Sequence, residues 1–578
     1  MSDSAPTHAP YRELTVAAVV LGVIIGALMT AAFVYIALKL GFGLGGSTVA
    51  AILGFAVLRG ALKSGTIVEN NINQTVASGI NIASSGVVFT FPALFLLAEK
   101  DPSLQGFSWQ PFVLSAMAGS FMGILLIIPL RKQMIEFERL NFPSGIAVSK
   151  LLKSPGAGLR QGILLLSGFA ISALFTALQE LHIAPHDWDI GAMMGLPVWF
   201  PVAIYLSFAN LGAGLLSGKG GLPYAAGGIL AWWIVSPIMF NAGWLPAPEI
   251  ADQAAWQKDI MYGTMIRPVG IGMLVGGALM GVILSFPALK SAIRSLSVAS
   301  QLSANGGPSS QEMSTKVLGL GAIAAVLALF IAALLSSDQV TLTQAAATAV
   351  AGAIWLGLAG LVVAQATGMT DISPMSGMSL IAVTLIFFIT AGNVVVSILL
   401  GVAICIGIGQ CADMMQDLKT GHLVGSTPKR QQLAQFAVAW IGGPIAVGTV
   451  FLLWGEGGGF GPGTDLAAPQ ADALSAIIES LRGGDVPLDR YVAGAVLGCA
   501  LSAFPVGGLG VLVGLAMYLP VDITFGYGIG CLASMALQRK LGKRWIGETL
   551  VPVAAGFIVG EALTSLGFTL VRLISGGA

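Results

Sequence analysis

Polar side chains crowd one short stretch of a chain that otherwise avoids them. A polar group in hydrocarbon without a partner costs several kcal/mol, so it needs water, a protein partner or a ligand. Carboxamides both donate and accept hydrogen bonds, which suits the peptide bonds, termini or chelated groups of a small polar ligand. The side chains concerned are Glu69, Asn70, Asn71, Asn73, Gln74 and Asn81.

Read as a helix, this stretch has one polar face and one apolar face. Asn70, Gln74, Ser78 and Asn81 share the polar face. That face predicts a substrate-binding wall, to which Asn71 and Asn73 add, and the carboxylate of Glu69 suits a proton or an amino group. The alternative is that the amides join helices to one another, a common use of Asn and Gln in membranes. We also expect the helix to break near Gly79–Gly86, before a full membrane span.

A second cluster lies in QCADMMQDLKTGHLVGSTPKRQQ, residues 410–432. Asp413 and Asp417 are four residues apart, so a helix brings both to one face. The pair predicts a proton-coupling site, with Gln416 and Lys419 as gate residues. The alternative is a helix that leaves the membrane with solvated charges. We expect Gly421 to end this helix.

Three further positions combine polar chemistry with an apolar or broken context. Ser144 lies between Pro143 and Gly145, where a re-entrant turn would expose helix amide groups to an anionic ligand. The alternative is a cytoplasmic loop that enters an interfacial helix. Asn393 precedes the acidic pair on the same span and is a further candidate for substrate binding. Glu561 is deep in an apolar run, so it joins Glu69 and the acidic pair as a candidate for proton coupling, and the alternative is a paired structural role.

The elements that must position these residues are membrane helices. Of 578 residues, 56% are hydrophobic and only 9% are charged, against about 25% in soluble domains. Continuous apolar runs near the length of a bilayer crossing exclude a barrel, whose strands alternate. The 77 glycines suit close helix packing and interrupted helices. We predict an all-α polytopic membrane protein with roughly sixteen spans plus re-entrant or broken segments.

Charge and spacing indicate how the chain is organised. We expect a cytoplasmic tail at 1–13, transmembrane halves at 14–285 and 317–578, and a cytoplasmic connector at 286–316. Two halves of similar length fit a duplicated transporter. Basic connectors such as 131–160 belong in the cytoplasm, which puts the N-terminus there too and leaves the side of the C-terminus open.

The sequence indicates no cofactor, no metal site and no catalytic motif. The four cysteines lie in or beside apolar segments, and Pro185 interrupts the helix that would align His182 with His186. HExxH and GxSxG motifs are absent, so we expect no enzyme. The net charge of zero indicates no nucleic-acid partner.

Several motifs together resemble one family. The chain is similar to prokaryotic members of the oligopeptide transporter (OPT) family, which includes the yellow-stripe-like branch. The matching stretches run from the first polar cluster to the second and are GALKSGTIVENNINQTVASG, GVVFTFPALFL, LNFPSGIAVSKLL and CADMMQDLKTGHLVGSTPKRQQ. Weaker support comes from RPVGIGMLVGGAL, YLPVDITFGYGIG and IVGEALTSLG.

The resemblance implies a proton-coupled symporter that works by alternating access in the bacterial inner membrane. Its substrate would be a small oligopeptide or a peptide-like compound; its other partners would be protons and the lipid bilayer, with a homo-oligomer left open. A symporter of metal–chelate complexes, siderophore- or nicotianamine-like, is the first alternative, and a passive channel is an alternative of another class. LNFPSG departs from the LTYPSG-like wording of the yellow-stripe-like branch, and His-rich or Cys-rich tracts are absent, so the sequence favours a peptide.

Overall fold

The computed structural model describes most of the chain. The described residues are 12–43, 45–62, 65–153, 157–197, 199–244, 256–284, 312–371, 373–455, 458–483, 487–504 and 508–575. Most of the connector predicted at 286–316 and nearly all of the tail predicted at 1–13 lie outside these residues.

The described residues before the connector form α-helices, shorter 3-10 and π-helical segments, loops and one small two-stranded sheet. Strands β1 (Asp187–Asp189) and β2 (Ala203–Tyr205) pair antiparallel. The helices are α1 (Val16–Leu40), α2 (Ser47–Phe55), α3 (Ile67–Val88), α4 (Pro92–Lys100), α5 (Gln110–Ile127), α6 (Pro143–Lys153), α7 (Ala157–Glu180), α8 (Ile190–Met193), α9 (Phe208–Ser217), α10 (Leu222–Ile229), α11 (Ser236–Asn241) and α12 (Arg267–Leu284).

The part after the connector is described as helices and loops. Its helices are α13 (Thr315–Ser336), α14 (Leu342–Thr370), α15 (Met375–Ile389), α16 (Val394–Val424), α17 (Pro428–Val438), α18 (Gly442–Gly455), α19 (Pro469–Leu481), α20 (Leu488–Ser502), α21 (Leu509–Tyr518), α22 (Val521–Trp545) and α23 (Val551–Ser575). Eleven helical segments of the described residues are long and apolar enough to cross a membrane. The predicted class, an all-α polytopic membrane protein, is confirmed.

The helices pack as two groups, and each group takes helices from both sides of the connector. We call them bundle A (α1–α3, α5, α13–α16 and α18) and bundle B (α7, α9, α10, α12 and α20–α23). In bundle A, α16 packs against α3, α5 and α14, whereas in bundle B α23 packs against α7 and α9, and α12 packs against α20 and α21. The bundles meet where α1 packs against α23.

Helices α3 and α16 form the innermost pair and run antiparallel. About nine-tenths of the span that contains α3 and of α16 is buried within the protein. Small residues permit this: a side chain at Gly119 of α5 would strike the backbone of Ala403 on α16, and one at Gly86 of α3 would strike Ile406. Such contacts place backbones side by side, as glycines do in membrane bundles.

Two local predictions about helix ends are wrong. Helix α3 continues without a break through Gly79 and Gly86 to Val88, because these glycines admit neighbouring helices and do not turn the chain. Helix α16 likewise passes Gly421, where a side chain of Gln431 packs, and ends at Gly425, whose φ of 84° is the left-handed conformation that favours glycine.

Candidate functional site

The polar stretch of the sequence is the buried helix α3. It begins with a capping box: the Thr66 hydroxyl accepts from the amide of Glu69 at 3.0 Å, and the Glu69 carboxylate accepts from the amide of Thr66 at 2.8 Å. The polar side chains of α3 that the sequence predicts as site residues are buried, and none of them is more than 6% exposed: Glu69, Asn70, Asn71, Asn73, Gln74, Ser78 and Asn81.

Helix α16 presents both of its acidic residues to α3. The hydroxyl of Ser78 donates to Asp413 Oδ1 at 2.6 Å, and the amide of Gln74 donates to Asp417 Oδ1. The two pairs match because residues four apart lie on one face of each helix. Asp417 is 1% exposed, and Asp413 is partly buried. The structure therefore joins the two clusters that the sequence separates by more than 300 residues.

Two side chains that the sequence analysis did not single out complete the cluster. Ser47, the first residue of α2, lies 2.9 Å from the Ser78 hydroxyl and donates to Asp417 Oδ1 at 3.5 Å. Gln431 of α17 donates to the backbone carbonyl of Asp417 and to Thr75 Oγ1, both at 2.8 Å. The only available signal was the presence of Gln431 in the motif beside the acidic pair. We call Ser47, Gln74, Ser78, Asp413, Asp417 and Gln431 the acidic cluster.

The acidic cluster contains more acceptor atoms than donors. Asp413 Oδ2, Asp417 Oδ2, Gln74 Oε1 and Gln431 Oε1 are buried and receive no hydrogen bond from the described residues. The ion pairs found among the described residues involve neither aspartate. Buried polar atoms are normally paired, so unpaired oxygens beside two carboxylates suit a ligand that donates hydrogen bonds or carries positive charge.

Comparison with known proteins assigns the family. A family model described as OPT oligopeptide transporter protein matches residues 13–571. The chain belongs to the OPT oligopeptide transporter family. A protein of Haemophilus influenzae named a putative oligopeptide transporter is 28% identical, over 92% of this chain and 91% of the relative.

Plant relatives belong to the same comparison. A rice protein named a probable metal-nicotianamine transporter is 25% identical, over 79% of this chain and 72% of its own length. The maize iron-phytosiderophore transporter yellow stripe 1 is 25% identical, over 77% of this chain and 71% of its own length. The family resemblance is thus confirmed: the protein is a multi-pass membrane transporter of a small-molecule substrate, and it is not an enzyme.

The remaining amides of α3 fasten this OPT transporter's neighbouring segments. Asn70 and Asn73 donate to the carbonyls of Ala51 and Ala50 on α2, at 3.0 and 3.2 Å. Asn71 donates to Ser426 Oγ at 2.9 Å. The carbonyl oxygens of these three amides, like that of Asn81, stay buried without a partner among the residues described. The amide nitrogens of these α3 side chains therefore hold neighbouring segments together, while their carbonyl oxygens receive no hydrogen bond from the described residues.

The first turn of α6 contacts a carboxylate of the protein itself. The amide and hydroxyl of Ser144 donate to Asp371 at 3.1 and 2.7 Å, and Gln416 donates to the same carboxylate at 3.1 Å. The Asp371 carboxylate, which directly follows α14, thus takes the position that was predicted for an anionic ligand at this helix start. Lys419 is 8% exposed and lies two residues beyond Asp417, on another side of α16.

Asn393 lies far from the acidic cluster. It caps the start of α16, where its side chain accepts from the amide of Val396 at 3.1 Å and donates to Ser337 at 3.2 Å. Twenty helical residues separate it from Asp413, a distance of roughly 30 Å. The structure therefore does not bring Asn393 together with the other predicted substrate-binding residues.

Glu561 forms a buried ion pair with Lys39, which the sequence analysis did not single out as a site residue. Lys39 Nζ lies 2.6 Å from Glu561 Oε1, and the two side chains are 1% and 3% exposed. The hydroxyl of Ser207 and the amide of Ala209 also donate to Glu561, at 2.7 and 2.9 Å. The Lys39 ammonium sits 4.4 Å from the ring centre of Tyr205. The sequence signal for this pair was that Lys39 and Glu561 are single residues of opposite charge, each in an otherwise apolar segment.

Proposed function

We propose that the protein is a proton-coupled symporter of small oligopeptides or peptide-like compounds, working by alternating access in a bacterial plasma membrane. The observation that carries this proposal is the acidic cluster: two carboxylates one helical turn apart, held by α3 and bonded to no basic side chain among the residues described. Two like charges in a buried site are costly, and a bound proton removes one of them.

Among the four predicted proton carriers we favour Asp413 and Asp417. Glu69 is engaged in the cap of α3, and Glu561 is neutralised by Lys39. A coupling group must change its protonation state during the cycle, and a carboxylate without a fixed cation does so more readily than one in a salt bridge. Coupling further requires that proton and substrate each bind the two conformations unequally.

We propose that the unused carbonyl oxygens of the α3 amides accept hydrogen bonds from the substrate. A peptide brings backbone N–H groups and an ammonium, which are donors, and the buried oxygens on this side are acceptors. The hydrogen-bond donors of Ser144 and Gln416 are already paired with the Asp371 carboxylate. We therefore place these two residues at a gate that opens when those hydrogen bonds break.

We propose roughly sixteen spans, more than the eleven long apolar segments of the described residues, and a rocking motion between bundles A and B. Several crossing segments are longer than the ~20 residues that one crossing needs, such as Val521–Ile574, and shorter apolar helices, such as Ser47–Leu58, lie beside them. Alternating access by rocking of one bundle against another is the usual scheme of duplicated transporters. With the basic connectors inside, we place the N-terminus in the cytoplasm.

A metal–chelate symporter is the second candidate, and the named substrates of the plant relatives favour it. Such a complex also presents carboxylates and amines, so the acidic cluster alone does not separate the two candidates. Uptake of di- to tetrapeptides measured against iron or copper chelates, in the same vesicles and at the same pH gradient, decides between them.

The test is uptake into sealed vesicles that contain only the purified protein. We expect an inward proton gradient to drive accumulation and an uncoupler to abolish it. Asp417→Asn and Asp413→Asn should each lower gradient-driven uptake at least about tenfold, a change of about 1.4 kcal/mol. Asp489→Asn, at a side chain that is 80% exposed, is the matched control and should transport normally.

Two outcomes contradict the proposal. Uptake that ignores the gradient and shows no counterflow would identify a passive channel. Gradient-driven uptake that survives in both cluster variants would place the proton elsewhere.

A further inference from the structure

A cavity of about 180 Å³ lies where bundle A meets bundle B. Its walls come from α1, from the loop before α2, from α2, from the end of α9 and from α23. Apart from Ser217 the lining is apolar, and it consists of Phe33, Gly45, Val49, Leu216, Ala555 and Ile558. Alternating access moves these bundles relative to one another, so a ligand held here would contact both moving parts.

The start of α2 connects this cavity to the acidic cluster. Ser47 bonds to Ser78 and Asp417, while Gly45 and Val49, two residues to either side, line the cavity. The acidic cluster, with its unpaired oxygen atoms, and the apolar cavity therefore lie within about one helical turn of each other along the chain. A ligand that reaches both sites must combine a hydrogen-bond-donating or cationic group with an apolar one.

The size of the cavity fits a single side chain. An apolar cavity of about 150 Å³ holds a benzene molecule, so the space here admits groups up to about the size of leucine or phenylalanine. A complete lipid acyl chain is far larger.

We propose that this cavity is the subsite for one apolar side chain of the transported peptide, and that Gly45 sets the size limit of that subsite. The inference rests on the proposed peptide transport and adds the selectivity for a side chain. The ammonium or amide N–H groups of the peptide would then lie toward the acidic cluster and its apolar side chain toward Phe33 and Ile558.

Gly45 offers a clean way to fill the cavity. It is exposed at the cavity's edge, a β-carbon added there would meet no atom within 4 Å, and its φ is not among the positive values of the chain's glycines. An L side chain is therefore accommodated without backbone strain. Gly45→Leu should occupy the cavity, and Gly319→Leu on α13, at a glycine outside the cavity where an added β-carbon also meets no atom within 4 Å, is the matched control.

The experiment measures uptake and binding of triglycine and of the three tripeptides that carry one leucine, Leu-Gly-Gly, Gly-Leu-Gly and Gly-Gly-Leu. We expect the wild-type protein and Gly319→Leu to prefer one leucyl peptide over triglycine by roughly 10- to 100-fold. Gly45→Leu should remove that preference by lowering the uptake of that leucyl peptide to the level of triglycine uptake. The unfolding temperature of each variant, measured in the same detergent, shows that the protein is folded.

The outcomes separate this inference from the proposed function. If the wild-type protein transports none of the four peptides, the proposed function fails. If it transports them without preferring leucine, or if Gly45→Leu lowers all four uptakes equally, the subsite is wrong while peptide transport stands. If Gly45→Leu only raises the unfolding temperature and leaves selectivity intact, the cavity is a packing void and the subsite is again wrong.

Discussion

Glu561 and Asp417 are buried to nearly the same extent, 3% and 1% exposed, yet their surroundings are opposite. Glu561 has a cation at 2.6 Å, and the Ser207 hydroxyl and the amide of Ala209 also donate to it. Asp417 shares α16 with a second carboxylate and receives bonds from neutral amide and hydroxyl groups. We call a buried carboxylate with a cation partner balanced, and we call the aspartate pair of α16, which has no cation partner among the described residues, unbalanced.

Two further buried charged side chains, those of Asp472 and Arg131, also have ion-pair partners. Arg267 holds Asp472 through two hydrogen bonds of 2.8 and 2.7 Å. Arg131, 1% exposed, lies 2.6 Å from Glu312 and 2.7 Å from Glu136. A balanced pair stabilises one arrangement of helices, whereas an unbalanced carboxylate pair can bind and release a proton or a cationic ligand. This difference separates structural charge from the charge that we assign to transport.

The largest effect is expected at the balanced site. Lys39→Met leaves the Glu561 carboxylate buried and unpaired, which typically destabilises a protein by about 3–5 kcal/mol. Thermal unfolding of the purified protein measures this loss. The double variant Lys39→Met/Glu561→Leu should recover most of it, because both charges are then removed. A single variant as stable as the wild type would show that the pair is not a structural element.

Hydrogen bonds to the acidic cluster should matter next. Ser78→Ala removes a donor to Asp413 and should destabilise the protein by about 1.5–3 kcal/mol if the carboxylate is charged, and by about 0.5–1.5 kcal/mol if it is protonated. Thermal unfolding at two pH values separates these ranges. Ser103→Ala, which removes an exposed hydroxyl, is the control. An equal loss at both pH values would contradict a change of charge at this site.

Neutralising the unbalanced site should leave stability nearly unchanged. Asp417→Asn keeps the shape of the side chain and replaces a buried carboxyl group that has no cation partner among the described residues, so we expect a change within about 1 kcal/mol, or a gain. Thermal unfolding tests this beside the Lys39 variant. A loss as large as that of Lys39→Met would show that an unrecognised cation balances the cluster.

The smallest effect is expected at an exposed pair. Arg482 lies 2.6 Å from Asp101, and the Ser103 hydroxyl together with Arg482 lowers the pKa of Asp101 to about 2. A lowered pKa stabilises the fold above the unfolded-state pKa, and the gain disappears as the pH falls toward 2. Between about pH 5 and 8 Asp101 stays ionised, and because the pair is solvated, Arg482→Ala should unfold at the wild-type temperature. A clear shift would show that exposed pairs contribute as much as buried ones.

Much of the site could be predicted from the sequence because its residues are polar and lie in apolar segments, where polar residues are rare. Amides and carboxylates are rare in apolar segments, so Gln74, Ser78, Asp413 and Asp417 were identified from composition and helical spacing alone. Ser47, which has no such contrast in its surroundings, was missed although it bonds to two of them. Asn393 carried the same signal and proved to be a helix cap, because local spacing does not distinguish the two uses of an amide.

The sequence by itself determined the family, the all-helical membrane architecture and the helical faces that carry polar groups. These properties follow from hydropathy, residue spacing and motifs, which are local along the chain. Only the tertiary structure decided which charges are balanced. Lys39 meets Glu561 across 522 positions and Gln74 meets Asp417 across 343, and such pairings depend on how helices pack through their small residues. The same packing decided that Gly79 and Gly86 admit neighbouring helices and leave α3 unbroken.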